Sequence, residues 1–470
     1  MKTTNRFTRR QFLKSSTVAL SALTVLPRRL FSQPPSETLN IACIGVGGRG
    51  EAHVWTSLKE NLVAICDVSQ RALDGWGKRI EKTYQKDNIS KPMPKTFTDY
   101  RELFDKMERD IDAVVVATPD HHHAPTSMRA LKLGKHVYCE KPLTHNIHEA
   151  RQLMLAAREK KVATQLGNQG RAEEAWRLLC EYLWSGIIGP VREVHFWTDR
   201  AGTPKRFWWP QGGTRPPGED PVPAWLNWDC WLGPAPVRPF LDTYKEGKFK
   251  GKHVYHPFVW RGWWDFGTGA LGDIGCHAMS GPFTALKIEH ASAVELVKDT
   301  GDNTSEMFPT SAIIRLDIPA RADMPPCKLF WYDGGLYPPR EMLELPESAE
   351  MPDNGTVFIG DKGRMKWSHA TAPVLIPESK MKDFQPPPKT LPRCESNHFV
   401  EWTTACKGGR PAFSSFDHAG PLTELVLLGN LAIRAGVGRK VEWDSASLTV
   451  KNLPELNPFV GRQHRKGWEI

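Results

Sequence analysis

The stretch from Leu39 to Gly50, LNIACIGVGGRG, leaves few folds open to this chain. It reads as a short buried strand over residues 40–44 that runs into a loop with glycines at 45, 47 and 50. Residues 51–58 then continue as a helix. Strand, glycine turn and helix in this order form the setting in which G-x-G-x-x-G binds a dinucleotide. Gly45 permits the tight turn, Gly47 lets the backbone approach a pyrophosphate, and Gly50 lets the helix pack close to the strand. Gly48 and Arg49 complete the loop, and the free N–H groups of the helix start face an anion. A second strand, residues 62–66, ends in Asp67, 20 residues after Gly47. A carboxylate there suits a ribose diol and repels a 2′-phosphate, so the expected cofactor is NAD rather than NADP.

Alternation of strand and helix continues. Residues 112–118 form an unbroken apolar run, as a strand buried on both faces requires. Further strands are expected at 136–139 and 162–166, with helices at 69–85, 101–107, 124–133 and 147–160. The expected fold is α/β: an N-terminal doubly wound Rossmann domain, then an α+β domain with an open, mostly antiparallel sheet. Ligands of doubly wound sheets bind outside the carboxyl ends of the strands. That rule adds Thr118, Pro119, His123, Glu140, Lys141 and Gln169 to the cofactor site. His121, His122 and His123 fall on an expected irregular loop. Their side chains would diverge and no acidic partner stands at helical spacing, so no metal site is expected. Nine cysteines without a C-x-x-C read as buried thiols.

The chain carries a formal charge of +9, which would suggest a nucleic-acid partner. Seven of those charges lie in residues 1–36, which contain no acid, so the rest is close to neutral at +2 and no nucleic-acid partner is expected. Residues 8–14, TRRQFLK, read as a twin-arginine export signal followed by a mildly apolar run over 15–26. That run is too short to span a bilayer. The expected location is periplasmic. A membrane tether would arise only if the signal stayed uncleaved.

Composition changes near residue 170. A long passage rich in tryptophan and proline, residues 207–236, offers Trp208 and Trp209 as platforms for sugar rings. Next comes residues 260–282, where Asp273 and His277 stand four apart and share a face if helical. An imidazole suits proton abstraction from a hydroxyl near neutral pH. Arg261 and Trp264 are further substrate candidates. Strands are expected at 191–197, 293–297, 311–316, 327–332, 356–360 and 364–367, and helices at 173–183, 396–406 and 422–435. The expected divisions are a signal and linker over 1–36, a Rossmann domain over 37–168, an α+β domain over 169–440 and a tail over 441–470 with little regular pattern.

Residues 117–123, ATPDHHH, and 134–143, GKHVYCEKPL, resemble the glucose–fructose oxidoreductase/inositol dehydrogenase (Gfo/Idh/MocA) family, nearest its exported bacterial branch. The resemblance spans most of residues 38–440. It implies that Lys141 stands beside the nicotinamide and the substrate hydroxyl, that the Lys141–Pro142 bond is often cis, and that D-x-x-x-H supplies His277 as general base with Asp273 beside it. It also implies an oligomer interface on the second sheet. On chemistry alone, Lys141 would polarise a developing carbonyl, with Glu140 holding the ammonium.

Together these readings describe an NAD-dependent oxidoreductase that removes hydride from a carbinol carbon of a sugar, polyol or glycoside and retains its cofactor. Two alternatives remain open. One is a redox-neutral NAD-dependent glycosidase or lyase acting through a 3-keto intermediate. The other is a non-catalytic scaffold that binds a sugar or a dinucleotide.

Overall fold

The computed structural model describes residues 38–202 and 206–470. The twin-arginine motif and its apolar run lie outside the described residues. No helix among those described is long and apolar enough to cross a membrane.

The first sheet has six parallel strands in the order β3-β2-β1-β4-β5-β6. They are β1 (Asn40–Ile44), β2 (Asn61–Cys66), β3 (Lys95–Phe97), β4 (Ala113–Val116), β5 (His136–Glu140) and β6 (Thr164–Gly167). Between them run α1 (Gly50–Ser57), α2 (Gln70–Lys86), α3 (Tyr100–Met107), α4 (Asp120–Lys132) and α5 (Ile147–Lys160). Successive side chains of β1 enter opposite cores: Ile41 and Cys43 join Trp76 and Ile80, while Ala42 and Ile44 join Leu103 and Phe104. Both faces are covered, which explains the continuous apolar runs. Two polar caps set helix starts: the Ser69 hydroxyl accepts from Ala72 N in α2, and Asn146 Oδ1 accepts from Glu149 N in α5. The strand order reverses between β1 and β4, which opens a crevice above their carboxyl ends.

Beyond β6 come α6 (Glu174–Trp184), β7 (Val191–Trp197), α7 (Trp228–Leu232), α8 (Gly269–Ala278) and α9 (Ser280–Ala285). A nine-stranded sheet follows in the order β13-β12-β11-β7-β10-β9-β8-β14-β15. Its remaining strands are β8 (Ala293–Asp299), β9 (Ala312–Ile318), β10 (Cys327–Tyr332), β11 (Gly355–Gly360), β12 (Gly363–Ser368), β13 (Thr371–Ile376), β14 (Lys440–Asp444) and β15 (Thr449–Val450). Only β7 and β10 pair in parallel, so the sheet is mostly antiparallel. Two late helices, α10 (His398–Cys406) and α11 (Phe416–Ala435), return to the first domain. Arg151 of α5 holds Glu424 of α11 at 2.6 Å, and Gly429 of α11 lies against Leu271 of α8 and Ile314 of β9. One helix therefore braces both sheets.

Three local expectations need correction. The histidine triplet lies in the first turn of α4, not on an irregular loop. Pro125 inside this helix removes only the N–H that would reach His121 O, and that carbonyl instead accepts from Arg462 Nη2 at 2.6 Å. In the same way α11 begins at Phe416 and carries Pro421 within its early turns. Finally, the expected irregular tail over 441–470 contains most of the strand Lys440–Asp444 and the strand Thr449–Val450; the first pairs with β8 and the second with the first, and this pairing supplies order the local sequence does not signal.

Candidate active site

A cavity of about 700 Å³ lies above the crevice. Its walls come from the glycine loop, the ends of β2, β4 and β5, and the segment 256–261, with His277 at one end. Gly45 has φ +81°, and a Cβ there would meet Ala117 O at 2.6 Å. A Cβ on Gly50 would collide with Gly45 O, whereas one on Gly47 would meet nothing within 4 Å. The first and third glycines are thus required by the protein itself, and the second leaves room for a ligand. Gly48 also takes a positive φ, +53°. Asp67 sits at the far end of the cavity, its oxygens accepting from Val46 N and Ser69 N at 2.9 Å each. Burial raises its pKa against those hydrogen bonds. Thr118 lines the wall beside Pro119, and its hydroxyl is buried with no partner. An open glycine cradle, an unpartnered hydroxyl and a carboxylate at the distant end fit a dinucleotide.

At the opposite end Lys141 and His277 share the cavity wall. Lys141 Nζ donates to Asp273 Oδ1 at 2.6 Å. Arg261 Nε reaches the same oxygen at 2.9 Å, and Arg200 Nε reaches Oδ2 at 3.2 Å. Burial alone would raise the Asp273 carboxyl, but Lys141 and then Arg261 hold it well below the usual carboxylate range. Asp273 and His277 lie one turn apart on α8. His277 makes no hydrogen bond among the described residues; its ring stacks on that of His369 at 5.4 Å. Burial, then the charge of Lys141, pushes His277 down to about 3, so it is a neutral imidazole near pH 7.

Several expected roles change. Glu140 does not hold the Lys141 ammonium. Its Oε1 accepts from His53 at 2.7 Å, Gln169 at 2.9 Å and Arg49 at 3.3 Å, and Asp273 takes its place on the lysine. Burial pushes Glu140 up, but His53 and the neighbouring cations bring it down to about 2. His123 is not a cavity wall: its two ring nitrogens bridge Pro142 O at 2.6 Å and Thr118 O at 2.9 Å, pinning two cofactor loops from behind. His121 and His122 both meet Trp231 O at 2.9 Å. Of the tryptophans singled out, Trp209 is buried on Gln211, and Trp208 lies under Arg200 at 3.6 Å. Trp264 faces a different cavity, packed on Phe308. Trp231, Phe258, Trp260 and Trp468 line the cleft instead. Arg261 does belong to it. Arg200 and His369 gave no local signal, because each reaches the site from a distant part of the chain, and His53, in the first turn of α1, is marked only by its contact with Glu140. The Lys141–Pro142 bond is cis.

Comparison with known proteins agrees with this geometry. Residues 39–168 match the model of an oxidoreductase family with an NAD-binding Rossmann fold, and residues 182–316 match that family's C-terminal alpha/beta domain. Glycosyl hydrolase family 109 protein 1 of Shewanella sp. strain ANA-3 is 35% identical over 164 residues, covering 34% of this chain and 34% of that protein. The alpha-N-acetylgalactosaminidase of Shewanella oneidensis is 34% identical over 166 residues, again 34% of each. The match thus spans about a third of the length of these curated relatives. Among solved structures, the WlbA dehydrogenase of Bordetella pertussis, in complex with NADH and UDP-GlcNAcA, shares the fold with a TM-score of 0.55 at 13% identity, over 87% of this chain and 99% of that one. An inositol dehydrogenase homolog of Azotobacter vinelandii, complexed with NADH and myo-inositol, gives 0.53 at 16%, over 88% and 99%.

Proposed function

Given that the chain belongs to the Gfo/Idh/MocA family of oxidoreductases, we propose that it is an NAD-dependent enzyme of carbohydrates, exported by the twin-arginine route and working in the periplasm. The observation that carries this reading is the Lys141–Asp273 ion pair at 2.6 Å beside a neutral, unbonded His277 in the wall of the dinucleotide cavity.

Gly45, Gly47, Gly48, Arg49, Asp67 and Thr118 would hold the cofactor, whose nicotinamide supplies reversible two-electron oxidation of a carbinol carbon. Asp67 favours NAD because its charge repels a 2′-phosphate. His277 has a free nitrogen to accept the proton of a substrate hydroxyl. Lys141, fixed by Asp273, donates to the same oxygen as it becomes a carbonyl. The imidazolium formed beside the Lys141 ammonium is a strong acid, so the proton returns readily. That reversibility suits an enzyme which oxidises a sugar and later reduces it again.

The matches to glycosyl hydrolase family 109 proteins favour a second form of this reading. A transient ketone would acidify the neighbouring C–H, so that the glycosidic bond is lost by elimination, water adds across the double bond that results, and return of the hydride to the ketone restores the hydroxyl and the oxidised cofactor. An exported enzyme has no cytoplasmic pool to renew its NAD, which favours a cofactor that stays bound in either form. A non-catalytic scaffold would leave Lys141, Asp273 and His277 without a task.

Absorbance and fluorescence of the purified protein, with no cofactor added, test the proposal. A bound nicotinamide should be present and should change redox state with one member of a panel of sugars and glycosides. An N-acetylgalactosaminide in that panel separates net oxidation from cleavage by the products released. Absence of bound nicotinamide, together with no binding of added NAD, would overturn the reading.

A further inference from the structure

On the other side of the 260–267 segment from the cleft lies a second cavity of about 250 Å³. It is built by the N-terminus of α5, one face of α11, Trp264 and the segment 458–463. Five buried polar atoms in its walls have no partner: both ring nitrogens of His145, Asn146 Nδ2, Asn430 Oδ1 and Arg462 Nη1. The amide orientations are fixed. Asn146 Oδ1 accepts from Glu149 N at 3.0 Å, and Asn430 Nδ2 donates to Thr268 O at 3.3 Å. Asn146 therefore presents a donor and Asn430 an acceptor. Arg462 spends two nitrogens on Glu149 Oε1 (2.8 Å) and His121 O (2.6 Å) and keeps Nη1 over.

Arg434 adds a second cation. Its guanidinium lies between the rings of Trp264 (4.0 Å) and Phe459 (4.2 Å) and makes no hydrogen bond or ion pair among the described residues. Rings on its faces leave the N–H edge as the available bonding direction. Burial pushes its pKa down to about 10, with only Asp265 nearby in compensation. Two carboxylates stand at this site. Asp265 is ion-paired with Arg238, and Glu149 is held by Arg462 and His464, so neither neutralises Arg434 directly. Asn146 itself is 7% exposed and caps α5, whose N-terminal dipole end adds to the positive field.

Buried donors without acceptors are rare in native proteins and call for an explanation. Here four donors, two of them cationic and one the N–H of the neutral His145 ring, meet two acceptors in a space the size of a small solute. We propose that this cavity is a binding site for a small hydroxyl-bearing oxyanion, either hydrogen phosphate or a hydroxycarboxylate such as a sugar acid. The anionic oxygens meet Arg434, Arg462 and Asn146, and the hydroxyl donates to Asn430. Because Arg462 also holds the His121 carbonyl, an occupant is linked through that side chain to the first turn of α4. The site does not depend on the reading of the cleft.

The test is thermal unfolding of the full chain in inorganic phosphate, in gluconate and in sodium chloride of matched ionic strength. Phosphate, gluconate or both should raise Tm saturably where chloride does not; the one that acts identifies the source. Asn146→Asp keeps the cap oxygen but replaces the donor with a negative acceptor, and Arg434→Gln removes the free cation. Each should weaken the midpoint tenfold or more. Asn146→Ser, which also retains a cap, serves if the aspartate variant fails to fold. A response no larger than chloride for both solutes overturns the proposal. So does a full response that persists in the variants, since it would place the anion elsewhere, for instance at the glycine loop.

Discussion

Asp273 is the hub of the site, since three cations converge on its two oxygens. Asp273→Asn keeps the shape and removes the charge, leaving Lys141, Arg261 and Arg200 without a common anchor. Turnover should fall by about 10²–10³-fold while carbohydrate binding changes little, because the lysine acts on charge that develops during reaction. Rates and affinities measured side by side check this; an equal loss of both would make the aspartate a binding group only. Asp67 makes a separate prediction. Asp67→Asn should narrow the preference for NAD over NADP by about tenfold or more, read as the ratio of the two dissociation constants. The sequence made the identities of Lys141, Asp273 and His277 legible. Their pairing was not: Glu140 is adjacent in the chain, but strand alternation turns it toward His53, and the lysine finds its partner 132 residues away.

The glycine loop offers a comparison between two positions in one element. Gly47→Ala places a methyl where no protein atom stands, so the protein should unfold at its usual temperature and lose affinity for the dinucleotide. Gly45→Ala, at φ +81° and against Ala117 O, should lose both. Calorimetry and NAD titration of the two variants decide it. A Gly47→Ala protein that binds NAD normally would remove the cofactor from this loop. Period and punctuation were enough to read β1, β2, β4 and β5, whose apolar runs are long and bounded. They misplaced the starts of α4 and α11, each of which begins before an internal proline, Pro125 or Pro421. What decides at α4 is who satisfies the freed carbonyl, and that is Arg462 from the far end of the chain. β14 was missed for a similar reason, as a short strand beside the sheet edge is defined by the strands it joins.

Across the molecule, several histidines are buried as neutral rings. His122 and His398 are each 4% exposed and are pushed down to about 4, chiefly by burial. His121 is lowered further for the same reason. A folded pKa below the unfolded 6.5 means that the unfolded chain binds more protons between about 6.5 and 4, so stability rises with pH across that window and falls on acidification. His122 and His398 should each cost about 2 kcal/mol at pH 5 relative to pH 7.5. Urea unfolding at the two pH values measures the sum. His122→Gln or His398→Gln should flatten the dependence, and an unchanged slope would mean that these rings are protonated in the fold.

The N-terminal sheet is fastened by residues that a ribosome makes long after it. Arg462 completes the turn at His121, 341 residues upstream, and Trp468 packs on Tyr100 and His122. Vectorial synthesis therefore exposes the histidine turn long before its partners exist. The first domain waits, partly finished, for the rest of the chain, so a nascent polypeptide halted before residue 462 should remain open to proteases at α4 that the released protein resists.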